Sequence, residues 1–154
     1  MNATQMKLAN PVRQRADEHE MPFAVLVIGG FDTDLIALLG ILNDTDWTLY
    51  WNTSRADAVE TLRRRPVNVV LCDRDLPDGT WKDVIAATSS LATPPPVIVT
   101  ARFANERLWA EVLNLNGYDV LTKPFDADEV MREITLAREF SKIVQPRSNP
   151  ASAA

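Results

Sequence analysis

Five short apolar runs punctuate the chain, at 23–28, 48–51, 67–72, 97–100 and 119–122, and each ends in polar or turn residues. Phe23-Ala24-Val25-Leu26-Val27-Ile28 and Val67-Asn68-Val69-Val70-Leu71-Cys72 are apolar almost without interruption. A strand with one wet face alternates apolar and polar positions. A strand covered on both faces does not, so these runs predict strands of a parallel sheet. Between the runs the spacing changes to that of amphipathic helix. Leu35, Ile36, Leu38, Leu39 and Leu42 predict a first helix, capped by Asp32 or Thr33. Thr53 or Ser54 caps a second through Ala58, Val59 and Leu62 to Arg63-Arg64-Arg65, where Pro66 stops it. A third spans 81–89, ahead of Pro94-Pro95-Pro96. A fourth carries Leu108, Val112 and Leu115, with Asn116-Gly117 as its left-handed stop. Asp126 and Glu129 form a capping box for a fifth, which runs to about Val144 before Pro146. Strand–helix alternation repeated five times gives a doubly wound α/β domain with right-handed crossovers.

Composition narrows the function classes. A chain of 154 residues that is 46% hydrophobic can build one proper core. The expected organisation is a polar, disordered leader over 1–21, a domain over 22–145 and a disordered tail over 146–154. No apolar run approaches the roughly 20 residues needed to cross a bilayer, so no membrane span is expected. A net charge of −5 argues against direct nucleic-acid binding. The arginine triplet 63–65 reads as a solvated helix end that complements the helix dipole. One cysteine, Cys72, excludes an internal disulfide, and the one histidine, His19, lies in the leader. Zinc chemistry and histidine catalysis therefore lack raw material. The chain is most simply read as cytoplasmic.

In open parallel sheets, function collects at the carboxyl ends of the strands. Those ends carry Gly29-Gly30, Asp73, Thr100 and Lys123-Pro124, so a carboxylate, a hydroxyl and a lysine converge. Taken alone, Asp73 reads equally as a reactive group and as a strand-end helper. Three segments decide the matter: Asp73-Arg74-Asp75-Leu76-Pro77, Val97-Ile98-Val99-Thr100-Ala101 and Leu121-Thr122-Lys123-Pro124-Phe125. In this order they resemble the receiver domains of two-component response regulators, over about 23–140. The stretch 117–124 is most similar to receivers of the transcriptional-activator type. The resemblance implies a flavodoxin-like strand order 2-1-3-4-5 and a signalling module rather than an enzyme. Asp73 would be the phospho-acceptor, attacking the phosphoryl group of a kinase phosphohistidine. Lys123 would pair with it, and Thr100 would carry the change to the face of the fourth helix, fifth strand and fifth helix. Implied partners are a sensor histidine kinase or phosphotransfer protein, a downstream signalling protein, and a second copy through that face, where Trp109 lies at the edge.

Two departures stand out. Receivers carry two acids after the first strand, which hold Mg²⁺ with the acceptor and the backbone carbonyl at the position of Asp75. Here those acids are Gly29 and Gly30. Mg²⁺ demands hard oxygen ligands in near-octahedral order, so binding should be weak or absent. A charge at ~4 Å is worth on the order of 4 kcal/mol near a protein surface, a large share of a reaction barrier. Asp32, Asp34 or an inward-turned Asp75 are the available substitutes, though helix starts ordinarily use Asp32 and Asp34 as caps. The second departure is Val120, three before Lys123, where the family has a mobile aromatic ring; a β-branched side chain is stiff and has no ring to relocate. Both point to a receiver that works without the normal phosphorylation cycle. Two other readings stay open. One is a conventional acceptor with a rebuilt metal site; the other is an anion or nucleotide sensor using the Gly29-Gly30 turn at a helix N-terminus. Cys72 reads as a buried strand residue with no resolving partner for redox chemistry.

Overall fold

The computed structural model describes residues 22–153, with side chains described to Ser141. Each apolar run becomes a strand, with ends shifted by a residue or two. They are β1 (Ala24–Ile28), β2 (Thr48–Asn52), β3 (Val69–Asp73), β6 (Val97–Ala101) and β7 (Asp119–Thr122). They form one parallel sheet in the order β2-β1-β3-β6-β7, the expected 2-1-3-4-5 arrangement. β3 starts at Val69; just before it, Asn68 is bound to Ala24 of β1, its side chain accepting from Ala24 N–H at 2.8 Å and its own N–H donating to Ala24 O at 2.8 Å.

The helices are α1 (Thr33–Asn43), α2 (Arg55–Arg64), α3 (Trp81–Ser89), α4 (Glu106–Asn114) and α5 (Ala127–Ala153). Asp32 caps α1 and Ser54 caps α2, each through its side chain. Asn116 takes the left-handed turn after α4, with φ 71°. Asp126 Oδ2 accepts from Glu129 N–H at 2.9 Å, the N-terminal half of the expected capping box. α5 overruns the predicted stop: its backbone stays helical past Pro146 to Ala153. A proline removes one helical hydrogen bond and clashes locally, but it does not forbid helix on both sides. The leader 1–21 lies outside the described residues, as do the tail's side chains.

Alternate side chains of the strands feed two cores, as a sheet covered on both faces requires. Val25, Val27, Leu71, Ile98 and Leu121 pack against Leu35, Leu38 and Leu42 of α1 and Val130 and Ile134 of α5. Leu26, Ile28, Cys72, Val99 and Val120 pack against Leu62, Val84, Leu108 and Val112 of α2, α3 and α4.

One element was not legible in the pattern. Asp75–Leu76 (β4) and Gly79–Thr80 (β5) pair antiparallel, turning at Pro77-Asp78. Asp78 Oδ1 and Oδ2 then accept from Arg55 and Ala56 N–H at 2.7 and 3.0 Å. The Arg55 bond leads in holding the Asp78 carboxyl below its usual range. This hairpin fastens the segment after Asp73 to the start of α2.

Candidate functional site

Parallel pairing brings the ends of β3 and β6 level, with Asp73 opposite Thr100. The Thr100 hydroxyl donates to Asp73 Oδ1 at 2.5 Å. Lys123 Nζ, from the loop after β7, reaches the same oxygen at 2.9 Å. Both members of that ion pair are largely shielded, their side chains 20% and 12% accessible. Backbone bonds fix the arrangement: Arg74 N–H donates to Thr100 O at 2.9 Å and Lys123 N–H to Ala101 O at 3.0 Å. The Lys123–Pro124 peptide is cis. The three residues singled out for chemistry are thus one contact cluster.

The β1 side of the site is built of backbone. Gly29 N–H donates to Asn52 O at 3.0 Å. Its carbonyl accepts from Trp51 Nε1 at 2.9 Å, and the Trp51 ring lies against Phe31, centroids 5.5 Å apart. A Cβ at position 29 would stand 2.8 Å from Asp73 Oδ2 and 3.1 Å from its Cγ, whereas one at position 30 would meet nothing within 4 Å. The Asp73 carboxylate therefore leans into space that a side chain at 29 would need. Gly29, Gly30, Asp32, Asp73, Thr100, Lys123 and Phe125 line a cavity of about 10 Å³. That volume holds roughly one water molecule.

The three acids considered as substitute ligands go elsewhere. Asp32 Oδ1 accepts from Leu35 N–H at 2.8 Å as the cap of α1, though the residue borders the cavity. Asp34 is buried and ion-paired to Arg102, two residues past Thr100. Asp75 does not turn inward: its carboxylate is 74% accessible and pairs with Arg74 Nε at 3.3 Å. Strand alternation explains this, since Asp75 and Leu76 face opposite ways in β4 and it is Leu76 that is buried. Among the described residues, no group of three or more His, Cys, Asp or Glu side chains could hold a metal ion. No helix among them is long and apolar enough to cross a membrane.

Val120 is buried in the core beneath α4. Trp109 lies exposed on α4, four residues from exposed Leu113. On α5, Leu136 and Phe140 are also exposed, and Phe140 meets Tyr118 with ring centroids 5.4 Å apart. Cys72 is fully buried; burial first, and the Asp73 charge second, push its thiol far above the usual range. It stays protonated, which disfavours redox chemistry. At the opposite end of β7 from the site, Glu133 of α5 faces Asp119. Contact between the two carboxyls, followed by burial, raises Glu133 to about 7. The Arg102–Asp34 link, the Trp51–Gly29 bond and this carboxyl pair carried no sequence signal, because each joins residues that only the fold brings together.

A family model for the response regulator receiver domain matches residues 25–135. The acid tolerance regulatory protein ActR of Rhizobium meliloti is 30% identical over 100 residues, which cover 65% of this chain and 50% of that protein. The transcriptional regulatory protein KdpE of Mycobacterium tuberculosis is 28% identical over 113 residues, 73% of this chain and 50% of that one. The chain thus spans about half the length of these curated relatives. Its fold matches the signal receiver domain of an HD domain-containing protein from Pseudomonas fluorescens, with TM-score 0.75, 20% identity, and coverage of 83% of this chain and 95% of that one. A two-component response regulator from Clostridium difficile gives TM-score 0.68 and 16% identity, covering 75% and 94%. The sheet order, the Asp73–Thr100–Lys123 cluster and the family match agree: the chain belongs to the response regulator receiver domains of two-component signalling.

Proposed function

We propose that this receiver is a protein-interaction module in a phosphorelay, with phosphorylation of Asp73 impaired. The observation that carries the reading is the backbone-only β1 side of the site at Gly29 and Gly30. Magnesium is held by several oxygens, usually including one or two carboxylates besides substrate oxygens and waters. Here one carboxylate faces the cavity without a cap to make, that of Asp73, and its Oδ1 already accepts from Lys123 and Thr100. Asp32, Asp34 and Asp75 have other partners. This donor set does not fit the ion, so magnesium binds weakly or not at all. The backbone carbonyl of Asp75 would remain as a lone further ligand.

What remains is binding, not catalysis. A histidine kinase or phosphotransfer protein would dock near Asp73. A downstream protein or a second copy would use the fourth-helix side, where Trp109 and Leu113 are exposed one turn apart. With Val120 at the switch position, that face is held in one conformation. An anion sensor at Gly29-Gly30 is disfavoured, because the Asp32 carboxylate already takes an amide of α1 and adds negative charge beside the turn. A magnesium titration followed by intrinsic tryptophan fluorescence, to which Trp51 beside Gly29 contributes, tests the reading. No saturable change at millimolar Mg²⁺ is expected; a saturable change abolished by Asp73→Ala would overturn it.

A further inference from the structure

Asp34 sits in the first turn of α1, which follows β1. Arg102 sits in the loop that follows β6. In the sheet, β3 lies between β1 and β6. A link between α1 and this loop therefore spans the β3 position of the sheet at its carboxyl end, the end that carries Asp73, beside the cavity that Asp32 and Thr100 line. The Arg102 guanidinium makes that link, through Nη2 to Asp34 Oδ2. The pair is lopsided: the Asp34 side chain is 10% accessible and that of Arg102 54%. A nearly buried carboxylate needs its partner, because desolvation penalises the unpaired charge.

The same loop is tied down from its other sides. Arg74 Nη1 donates to Phe103 O at 3.5 Å, Arg74 N–H to Thr100 O at 2.9 Å and Lys123 N–H to Ala101 O at 3.0 Å. Arg102 closes the α1 side, so successive residues 100–103 are held from β3, β7 and α1 together. Phe103 is left 77% exposed on this fastened loop.

We infer that the Arg102–Asp34 pair is a latch across the mouth of the Asp73 site, holding loop 101–105 closed and keeping Thr100 engaged with Asp73 in the absence of any phosphoryl group. The inference rests on Asp73 being the functional centre. It adds to that reading the element that closes the centre. A phosphoryl donor reaching Asp73 would first have to break this pair.

Amide hydrogen exchange on the full chain tests the latch without any phosphodonor, so its failure is separable from that of the proposed function. Arg102→Ala and Asp34→Asn should each speed exchange of the 101–105 amides by roughly fivefold, the scale of a partly exposed ion pair. Amides at the centre of β3 should keep their protection, and the double variant should exchange no faster than either single one. Wild-type exchange in the loop of either variant would overturn the latch, as would additive effects in the double variant. Asp34→Asn preserves side-chain shape and decides the matter if Arg102→Ala does not fold.

Discussion

The Asp73 site has two unlike halves. On β3, β6 and β7 a carboxylate, a hydroxyl and an ammonium group meet at one oxygen, within 2.9 Å. On β1 there is only main chain, held by Asn52 and Trp51, with Gly29 so close that Asp73 occupies the room of a side chain. The first half is electrostatically self-sufficient: Lys123 already neutralises Asp73 and Thr100 satisfies it. The second half carries no charged side chain at positions 29 and 30, and its backbone is held in place. On the reading proposed above, such a receiver keeps the Asp73–Thr100–Lys123 geometry while lacking the charges that would make Asp73 easy to phosphorylate.

The sharpest way to break the contrast is to restore the β1 half. Gly29→Asp should destabilise the protein by about 3 kcal/mol in urea unfolding without metal, since its Cβ overlaps a carboxylate that Lys123 and Thr100 hold in place and adds like charge. Millimolar Mg²⁺ should recover much of that loss. Gly30→Asp, with nothing within 4 Å of its Cβ, should change stability by less than about 0.5 kcal/mol. The charged half is probed by Lys123→Met, which leaves Asp73 shielded and without a cation. A loss of about 2 kcal/mol is expected, largely recovered in the double variant with Asp73→Asn.

Smaller effects sharpen the picture. Trp51→Phe deletes the donor to the Gly29 carbonyl and should cost about 1 kcal/mol by the same unfolding measurement. A control lies at the far end of β7. Glu133, facing Asp119 and Tyr118 of the β7 segment and flanked on α5 by Glu129 and Arg132, is raised from 4.5 to about 7. The folded state thus binds this proton more tightly than the unfolded chain. Stability should fall as pH rises from about 4.5 through 7, and Glu133→Gln should flatten that slope in thermal unfolding at several pH values. The Asp73 site should be indifferent to the substitution.

Much of this was legible in the sequence because it depends on local pattern. The near-continuous runs at β1 and β3 announce two-sided burial, and Asp32, Ser54 and Asn116 announce helix ends by chemistry that acts within a few residues. Asp73, Thr100 and Lys123 could be placed together because parallel strands deliver their ends to one edge of the sheet. The two-residue strands β4 and β5 were missed because each carries too few positions to show a period. Helix past Pro146 was missed because proline reads as a stop. The inward turn considered for Asp75 failed because only the hairpin fixes which of its neighbours faces the core. The Arg102–Asp34 pair lies across 68 residues of chain, and no local pattern encodes such a meeting.

The central claim concerns the reactivity of Asp73, and intact-mass measurement after incubation with acetyl phosphate and Mg²⁺ tests it most directly. The wild-type chain should keep its mass, while the Gly29→Asp, Gly30→Asp double variant should gain one phosphoryl group. A near-stoichiometric gain in the wild type that disappears in Asp73→Ala would contradict the account.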